Sequence, residues 1–256
     1  MKVAYFLINL DDNTERLKTA AKQLNEQHII FHRISAFDGR KLQPSDHPLY
    51  NRDKCLHYMG RELVGGEIGC YMSHLKCAEE FLESDADYAV VLEDDFKISN
   101  ELHQKVIATI DWLERHREPW LLINIGNEKL KISTPLTDIS IKSDTHELHR
   151  AHYFPMTTTG LLWNRAGASQ FTHLATEIFA PVDNYFRHWL TRENSGLAFK
   201  PPLVCAIGAQ SVIDAPLQNS KRKKQGRTPF YGLTKQRRLW QDKFIALWHK
   251  FKPTHH

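Results

Sequence analysis

The run Tyr88-Ala89-Val90-Val91-Leu92, stopping in Glu93-Asp94-Asp95, constrains the fold more than any other part of the chain. It is apolar without alternation and rich in β-branched valine, so it predicts a strand buried on both faces, as in a sheet covered by helices on each side. Three adjacent carboxylates at the end of such a strand repel one another. A divalent cation shared with a substrate phosphate would offset that repulsion. Taken alone, the triplet is equally compatible with a strand emerging into a solvated acidic turn.

The segments before it alternate strand and helix. Residues 3–10 read as a first strand, and Asp11-Asp12-Asn13-Thr14 supplies helix-start chemistry for a helix from Arg16 to His28. A second strand is expected over Ile29–Ile34, ending at the turn Ala36-Phe37-Asp38-Gly39. Residues 41–61 lose all pattern and read as a surface excursion. The glycines of Leu63-Val64-Gly65-Gly66-Glu67-Ile68-Gly69 permit close backbone approach and lead into a helix with Cys70, His74, Cys77, Ala78 and Phe81 along one face. In open α/β sheets ligands sit at the carboxyl ends of strands, where Asn9, Leu10, Asp38 and the acidic triplet all fall.

Beyond the triplet, a helix is expected over 100–117, a buried strand over 120–126 and a hairpin or lid over 129–150. A β-branched stretch, Thr157-Thr158-Thr159, leads to a helix opened by Asn164. Asp183 stands before a helix over 184–191, either as its N-cap or as a functional carboxylate held there. A last strand is expected over 198–207, disrupted by Pro201-Pro202. The tail, from about residue 218, interleaves Arg237, Arg238, Lys243 and Lys250 with Leu239, Trp240, Phe244, Leu247, Trp248 and Phe251. That pattern fits interfacial membrane binding, or a helix docked on the domain with a solvated basic face.

Several function classes are excluded. The glycine-rich stretch lacks the Gly-Lys-Ser/Thr of a phosphate-binding loop and the spacing of a dinucleotide fingerprint. Cys55, Cys70, Cys77 and Cys205 lack paired spacing, so neither a zinc knuckle nor a disulfide framework is indicated, and reduced thiols in a cytosol are expected. Lys plus Arg at 34 against Asp plus Glu at 30 is too even to indicate nucleic-acid binding, and no reading module accompanies the basic tail. The apolar start of the chain runs into Asn9-Leu10-Asp11-Asp12 and reads as a strand rather than a signal segment. No apolar stretch reaches the roughly 20 residues that cross a bilayer.

Taken together, Ile8-Asn9-Leu10 with Glu15-Arg16, Ala36-Phe37-Asp38-Gly39, Gly66-Glu67-Ile68-Gly69-Cys70-Tyr71-Met72-Ser73-His74 and Val91-Leu92-Glu93-Asp94-Asp95 resemble glycosyltransferase family 25. These are bacterial lipopolysaccharide and lipooligosaccharide transferases related to collagen galactosyltransferases. The resemblance covers most of residues 3–215. The Gly66–His74 segment is its most specific part. Two features depart from the family: a basic residue common near Asp12 is absent, and Leu161 or Leu162 stands where a tyrosine is expected.

The resemblance implies a GT-A-like (Rossmann-like) α/β domain over 1–217, a mixed sheet flanked by helices, followed by a basic amphipathic helical tail over 218–256. It further implies an inverting enzyme that moves a hexose, galactose first, from a UDP-sugar to a lipooligosaccharide or lipopolysaccharide acceptor. The location implied is peripheral, on the cytoplasmic face of a bacterial inner membrane, with the tail on the anionic surface. Manganese, or else magnesium, would be held by Asp95 and Glu93, with Glu93 also a candidate for the donor ribose and Asp94 pointing away. Asn9, Leu10, Arg16 and Asp38 form the expected nucleotide pocket, with Ser73 and His74 near the phosphates and Gln210 and Ser211 closing the donor side. Asp183 is the first candidate for the base and Glu128 the reserve. His74 on an apolar helix face could equally be a packing residue. Two rivals remain: a sugar-phosphate nucleotidyltransferase, for which Asp11–Thr14 lacks the basic glycine-rich loop, and a carbohydrate-binding or scaffolding protein without catalysis.

Overall fold

The computed structural model describes residues 1–127, 129–207 and 226–252. At its centre β3 (Tyr88–Glu93) lies parallel to β1 (Val3–Asn9) and antiparallel to β8 (Gly160–Asn164). β1 also pairs in parallel with β2 (His32–Ser35). The sheet continues through β5 (Leu122–Asn124), β9 (Gly196–Lys200), β7 (Asp144–Arg150) and β6 (Thr134–Ile141). The full order is β2-β1-β3-β8-β5-β9-β7-β6, with parallel and antiparallel neighbours mixed. A second, two-stranded sheet joins β4 (Phe96–Ile98) to β10 (Val204–Ala206).

The two faces of this sheet are covered separately, which explains why the central strands carry no polar alternation. Tyr5, Leu7, Val90 and Leu92 belong to a core shared with α1 (Thr14–Glu26) and α4 (Leu102–His116). Phe6, Ile8, Ala89 and Val91 face the other core, with α3 (Gly65–Glu83), α5 (Arg165–Leu174) and α6 (Val182–Glu193). Aromatic packing concentrates in this second core, where Phe171, Phe186, Trp163 and Trp189 pack ring against ring.

Four expectations need correction. The patternless stretch 41–61 contains a helix, α2 (Arg52–Met59), capped by the Asn51 side chain on the Lys54 amide and ended at Gly60 with φ +72°. Only Cys55 and Met59 of it are buried, so it lacks the apolar stripe that betrays a longer helix. The second strand begins at His32, because Ile30 is almost fully exposed just after α1. The single last strand is two, β9 and β10 in different sheets, since Pro201-Pro202 cannot donate to a ladder. Residue 183 is not an N-cap: α6 starts at Val182 with Pro181 in the capping position, so Asp183 sits in its first turn. Residues 129–150 resolve into the β6–β7 hairpin, which extends the sheet beyond β9.

The tail contains α7 (Tyr231–Phe251), which packs on α2 and α6. The expected division at 217/218 and the cluster Lys221–Lys224 lie outside the described residues. None of the described helices is long and apolar enough to cross a membrane.

Candidate active site

Strand order 2-1-3 makes the carboxyl end of β1 the point where connections leave in opposite directions, which opens a crevice there. A cleft open to solvent occupies it. The sequence candidates Asn9, Leu10, Arg16, Asp38, Ser73, His74, Glu93 and Asp95 all line it. Asp94, Asn13, Arg40 and Cys70 line it too.

One wall is the start of α3, pressed against the 36–42 loop. A Cβ on Gly65 would collide with the Gly39 carbonyl, and one on Gly69 would lie 2.5 Å from the Phe37 carbonyl oxygen, so only glycine allows this approach. Ser73 locks the contact, accepting from the Phe37 amide at 2.9 Å and donating to the Gly69 carbonyl at 2.7 Å. Both hydroxyl bonds are therefore committed to the wall. Glu67 likewise serves the frame: it accepts from the Val64 amide and forms a buried two-point pair with Arg61 at 2.7 and 2.8 Å.

The acidic triplet divides in three directions. Glu93 continues the Ala89–Val91 face of β3, which α3 covers, and so meets α3 side chains. Its Oε1 accepts from Thr158 Oγ1 at 2.6 Å and from His74 Nε2 at 3.1 Å, with Cys70 Sγ at 3.8 Å. Burial pushes the Glu93 carboxyl up, but these donors outweigh it and hold the group below the usual range. His74 Nδ1 is buried without a partner among the described residues, so its hydrogen belongs on Nε2, donated to Glu93.

Asp94 does not point away, as the alternation of a strand would have it. It lies beyond the strand end and accepts from Asn9 Nδ2 at 2.7 Å and Arg16 Nη1 at 3.2 Å. Asp95 lies 3.8 Å from the same guanidinium. Burial, then the charges of Glu93 and Asp94, raise its carboxyl above the usual range against the pull of Arg16.

This donor set fits a hard divalent cation, because crowded carboxylate oxygens in partial burial are what such an ion relieves. Cys70, His74 and Glu93 also bring ligand atoms within 4.8 Å of one another. Burial, then the charges of Glu93 and Asp183, push the Cys70 thiol well above its usual range.

At the outer rim, Arg40 pairs with Asp38 at 2.7 Å and with Asp12 at 2.6 Å. Its hydrogen bonds hold the Asp38 carboxyl low. The cation missing in sequence beside Asp12 is thus supplied in space by the next loop. Asp183 does not line the cleft. It stands behind Cys70, half-buried, its Oδ1 accepting from the Asn184 amide and side chain at 2.7 and 2.9 Å. Burial raises its carboxyl, and the Asn184 hydrogen bonds only partly oppose this. Glu128, Gln210 and Ser211 lie outside the described residues.

Sequence reasoning missed Thr158, Cys70, Asn13 and Arg40. Thr158 was readable only as part of a β-branched run. In the structure Thr157 has φ +88°, rare for a β-branched residue, and its carbonyl accepts from Asn124 Nδ2 at 2.9 Å. The chain is thereby turned just before β8, and Thr158 faces Glu93. Leu161 and Leu162, in place of the expected tyrosine, are fully buried in the two cores.

Comparison with known proteins adds a family and several relatives. The family described as glycosyltransferase family 25 (LPS biosynthesis protein) matches residues 2–186. Procollagen galactosyltransferase 2 of Mus musculus is 28% identical over 137 residues, 51% of this chain and 21% of that protein. Procollagen galactosyltransferase 1 of Danio rerio is 25% identical over 221 residues, 78% of this chain and 35% of that protein. Inactive glycosyltransferase 25 family member 3 of Homo sapiens is 26% identical, over 49% of this chain and 22% of that protein. The chain thus spans about a third or less of the length of these relatives. Among solved structures, a Drosophila galactosyltransferase 7 mutant in complex with manganese, UDP-Gal and xylobiose aligns over 91% of this chain and 79% of its own, at 13% identity and TM-score 0.38. A glycosyltransferase involved in glycosylation of the PBCV-1 major capsid aligns over 88% and 98%, at 10% identity and TM-score 0.43.

Proposed function

The chain belongs to glycosyltransferase family 25, and from that premise we propose that it transfers a hexose, galactose first, from a UDP-sugar to a hydroxyl of a lipooligosaccharide or lipopolysaccharide acceptor with inversion. The observation that carries the reading is the convergence of Glu93, Asp94, Asp95 and Arg16 on one cleft at the switch point of the sheet. Asn9, Leu10, Arg16 and Asp38 hold the nucleotide, with Arg40 at the rim for its phosphates. Gln210 and Ser211, outside the described residues, are assigned to the donor side by the family resemblance alone. A divalent cation, manganese or magnesium, held by Asp95 with Glu93, would neutralise charge growing on the departing diphosphate.

In this reading Asp183, with Glu128 in reserve, takes the proton of the acceptor hydroxyl. The hydroxyl oxygen bonds to the anomeric carbon as the bond to the diphosphate breaks, and UDP leaves. A base raised by burial is better matched to that proton near neutral pH than an ordinary aspartate. Glu93, one of the residues lining the cleft, is fixed through Oε1 by Thr158 and His74.

The test is UDP release by the purified chain supplied with a panel of UDP-sugars, Mn²⁺ and a deacylated lipooligosaccharide. Release with UDP-galactose, lost on chelation and in Asp95→Asn, is expected. No release with any UDP-sugar would sink the proposal. Glycan binding without metal-dependent UDP affinity would then favour a non-catalytic carbohydrate-binding protein, in keeping with the relatives named as inactive.

A further inference from the structure

Helix α7 is built inside out relative to the other described helices. Its inward stripe is centred on polar or small residues: Arg238, Asp242 and Ala246 are buried, and His249, with Leu239 and Ile245 at the flanks, is half-buried. Asp242 pairs with Arg192 of α6 at 3.0 Å, His249 Nε2 donates to the Arg192 carbonyl at 3.1 Å, and Arg238 stacks over the Tyr58 ring of α2 at 5.1 Å. These contacts fix which way the helix faces.

At 3.6 residues per turn, Leu233, Trp240, Phe244, Leu247 and Phe251 form one seam on the side directly opposite. All five are exposed, Leu233 and Phe251 by 70% and 72%, and Trp248 beside the seam by 68%. A row of large apolar side chains held in water along five turns is not a packing remnant, because the same helix had polar residues available for that side and buries them instead.

We propose that this seam is an interfacial membrane-binding face that inserts among the headgroups of an anionic bilayer. The charge around it selects that occupant. Arg227, Lys235, Arg237, Lys243, Lys250 and Lys252 are exposed or half-exposed, whereas Asp242, the only acidic residue from 226 to 252, is buried in its pair with Arg192. A second copy of the helix laid on the seam would bring Lys243 and Lys250 against their own counterparts with no carboxylate between them. Lipid phosphates answer that charge, and tryptophan suits the interfacial zone. The proposal goes beyond the transferase reading and needs neither donor nor metal.

The full chain is mixed with vesicles of phosphatidylcholine alone or with phosphatidylglycerol, and sedimented. Binding to the anionic vesicles, weakened by salt, is expected. The variant Trp240→Ser/Phe244→Ser should bind at least about tenfold more weakly, as should Lys243→Glu/Lys250→Glu, which leaves the seam intact. Since all four side chains are outside the cores, circular dichroism should be unchanged. Equal binding by both variants, or no binding of the unaltered chain to anionic vesicles, overturns the proposal. So does a dimer in solution that the Trp240→Ser/Phe244→Ser variant abolishes, which would assign the seam to a second copy.

Discussion

The cleft at the ends of β1 and β3 and the helix α7 treat charge in opposite ways. In the cleft, apolar side chains form the frame beneath and carboxylates are left crowded together, with Asp95 raised by burial and then by the charges of Glu93 and Asp94. In α7 Asp242 and Arg238 are turned inward and partnered, while aromatic side chains and most of the helix's cations are left in water. Each arrangement leaves one kind of group poorly accommodated by the protein itself. In the readings proposed above, a cation or a ligand answers the first and an anionic membrane surface the second.

The sharpest way to break the contrast is Asp95→Asn, which removes a crowded charge rather than a structural contact. It should lower kcat/KM for UDP-sugar transfer roughly a thousandfold while leaving Tm unchanged, checked by UDP release and calorimetry. Asp183→Asn should cost about a hundredfold. The sign of its pH dependence follows from burial: the base must be deprotonated, its carboxyl lies above the usual range, and so activity should fall on acidification at a pH above the ordinary aspartate value. That limb should be absent from whatever activity Asp183→Asn retains. If the limb persists there, the base lies elsewhere.

In α7 the inward face is where stability should respond. Asp242→Ala removes one partner of Arg192, which is a third exposed and keeps its bond to the His188 carbonyl, and should destabilise the protein by about 1.5 kcal/mol in denaturant titration, with transfer chemistry intact at low temperature. Thr158→Val, nearly isosteric, removes the shortest hydrogen bond to Glu93 and should reduce activity about tenfold, through metal or donor affinity rather than fold. The smallest effect belongs to the outward seam: Phe244→Ser should change stability by no more than about 0.5 kcal/mol, because its side chain is exposed outside both cores, beside the Trp240 ring of the same seam. A larger loss would mean that the seam is part of the fold, and the contrast would fail.

Much of the fold was legible because burial on two faces leaves a mark on composition. Val90 and Val91 belong to different cores yet are equally apolar, and that run announced a strand covered by helices on both sides. α2 was illegible as a helix because it buries only Cys55 and Met59, although Asn51 and Gly60 punctuate it as caps. In the site, Asn9, Arg16, Asp38 and the Gly66–His74 segment all arrived at the cleft. Their division of labour did not show in sequence: Glu67 and Ser73 hold the wall, while Cys70 and His74 turn to Glu93. Asp94 was misread because strand alternation was extended past residue 93, where the strand ends.

By itself the sequence determined that carboxylates end a central strand, that glycines allow a close backbone approach beside the site, and that the tail is basic and amphipathic; that those glycines form the first turns of α3 was not legible. These are local properties, set by periodicity and by what glycine and charge permit. Tertiary structure alone decided that Thr158 and His74 meet on one oxygen of Glu93, that Arg40 stands beside Asp12, and that α7 turns its apolar seam outward. Those outcomes depend on contacts between segments far apart in the chain, and no single stretch encodes the direction in which another will face it.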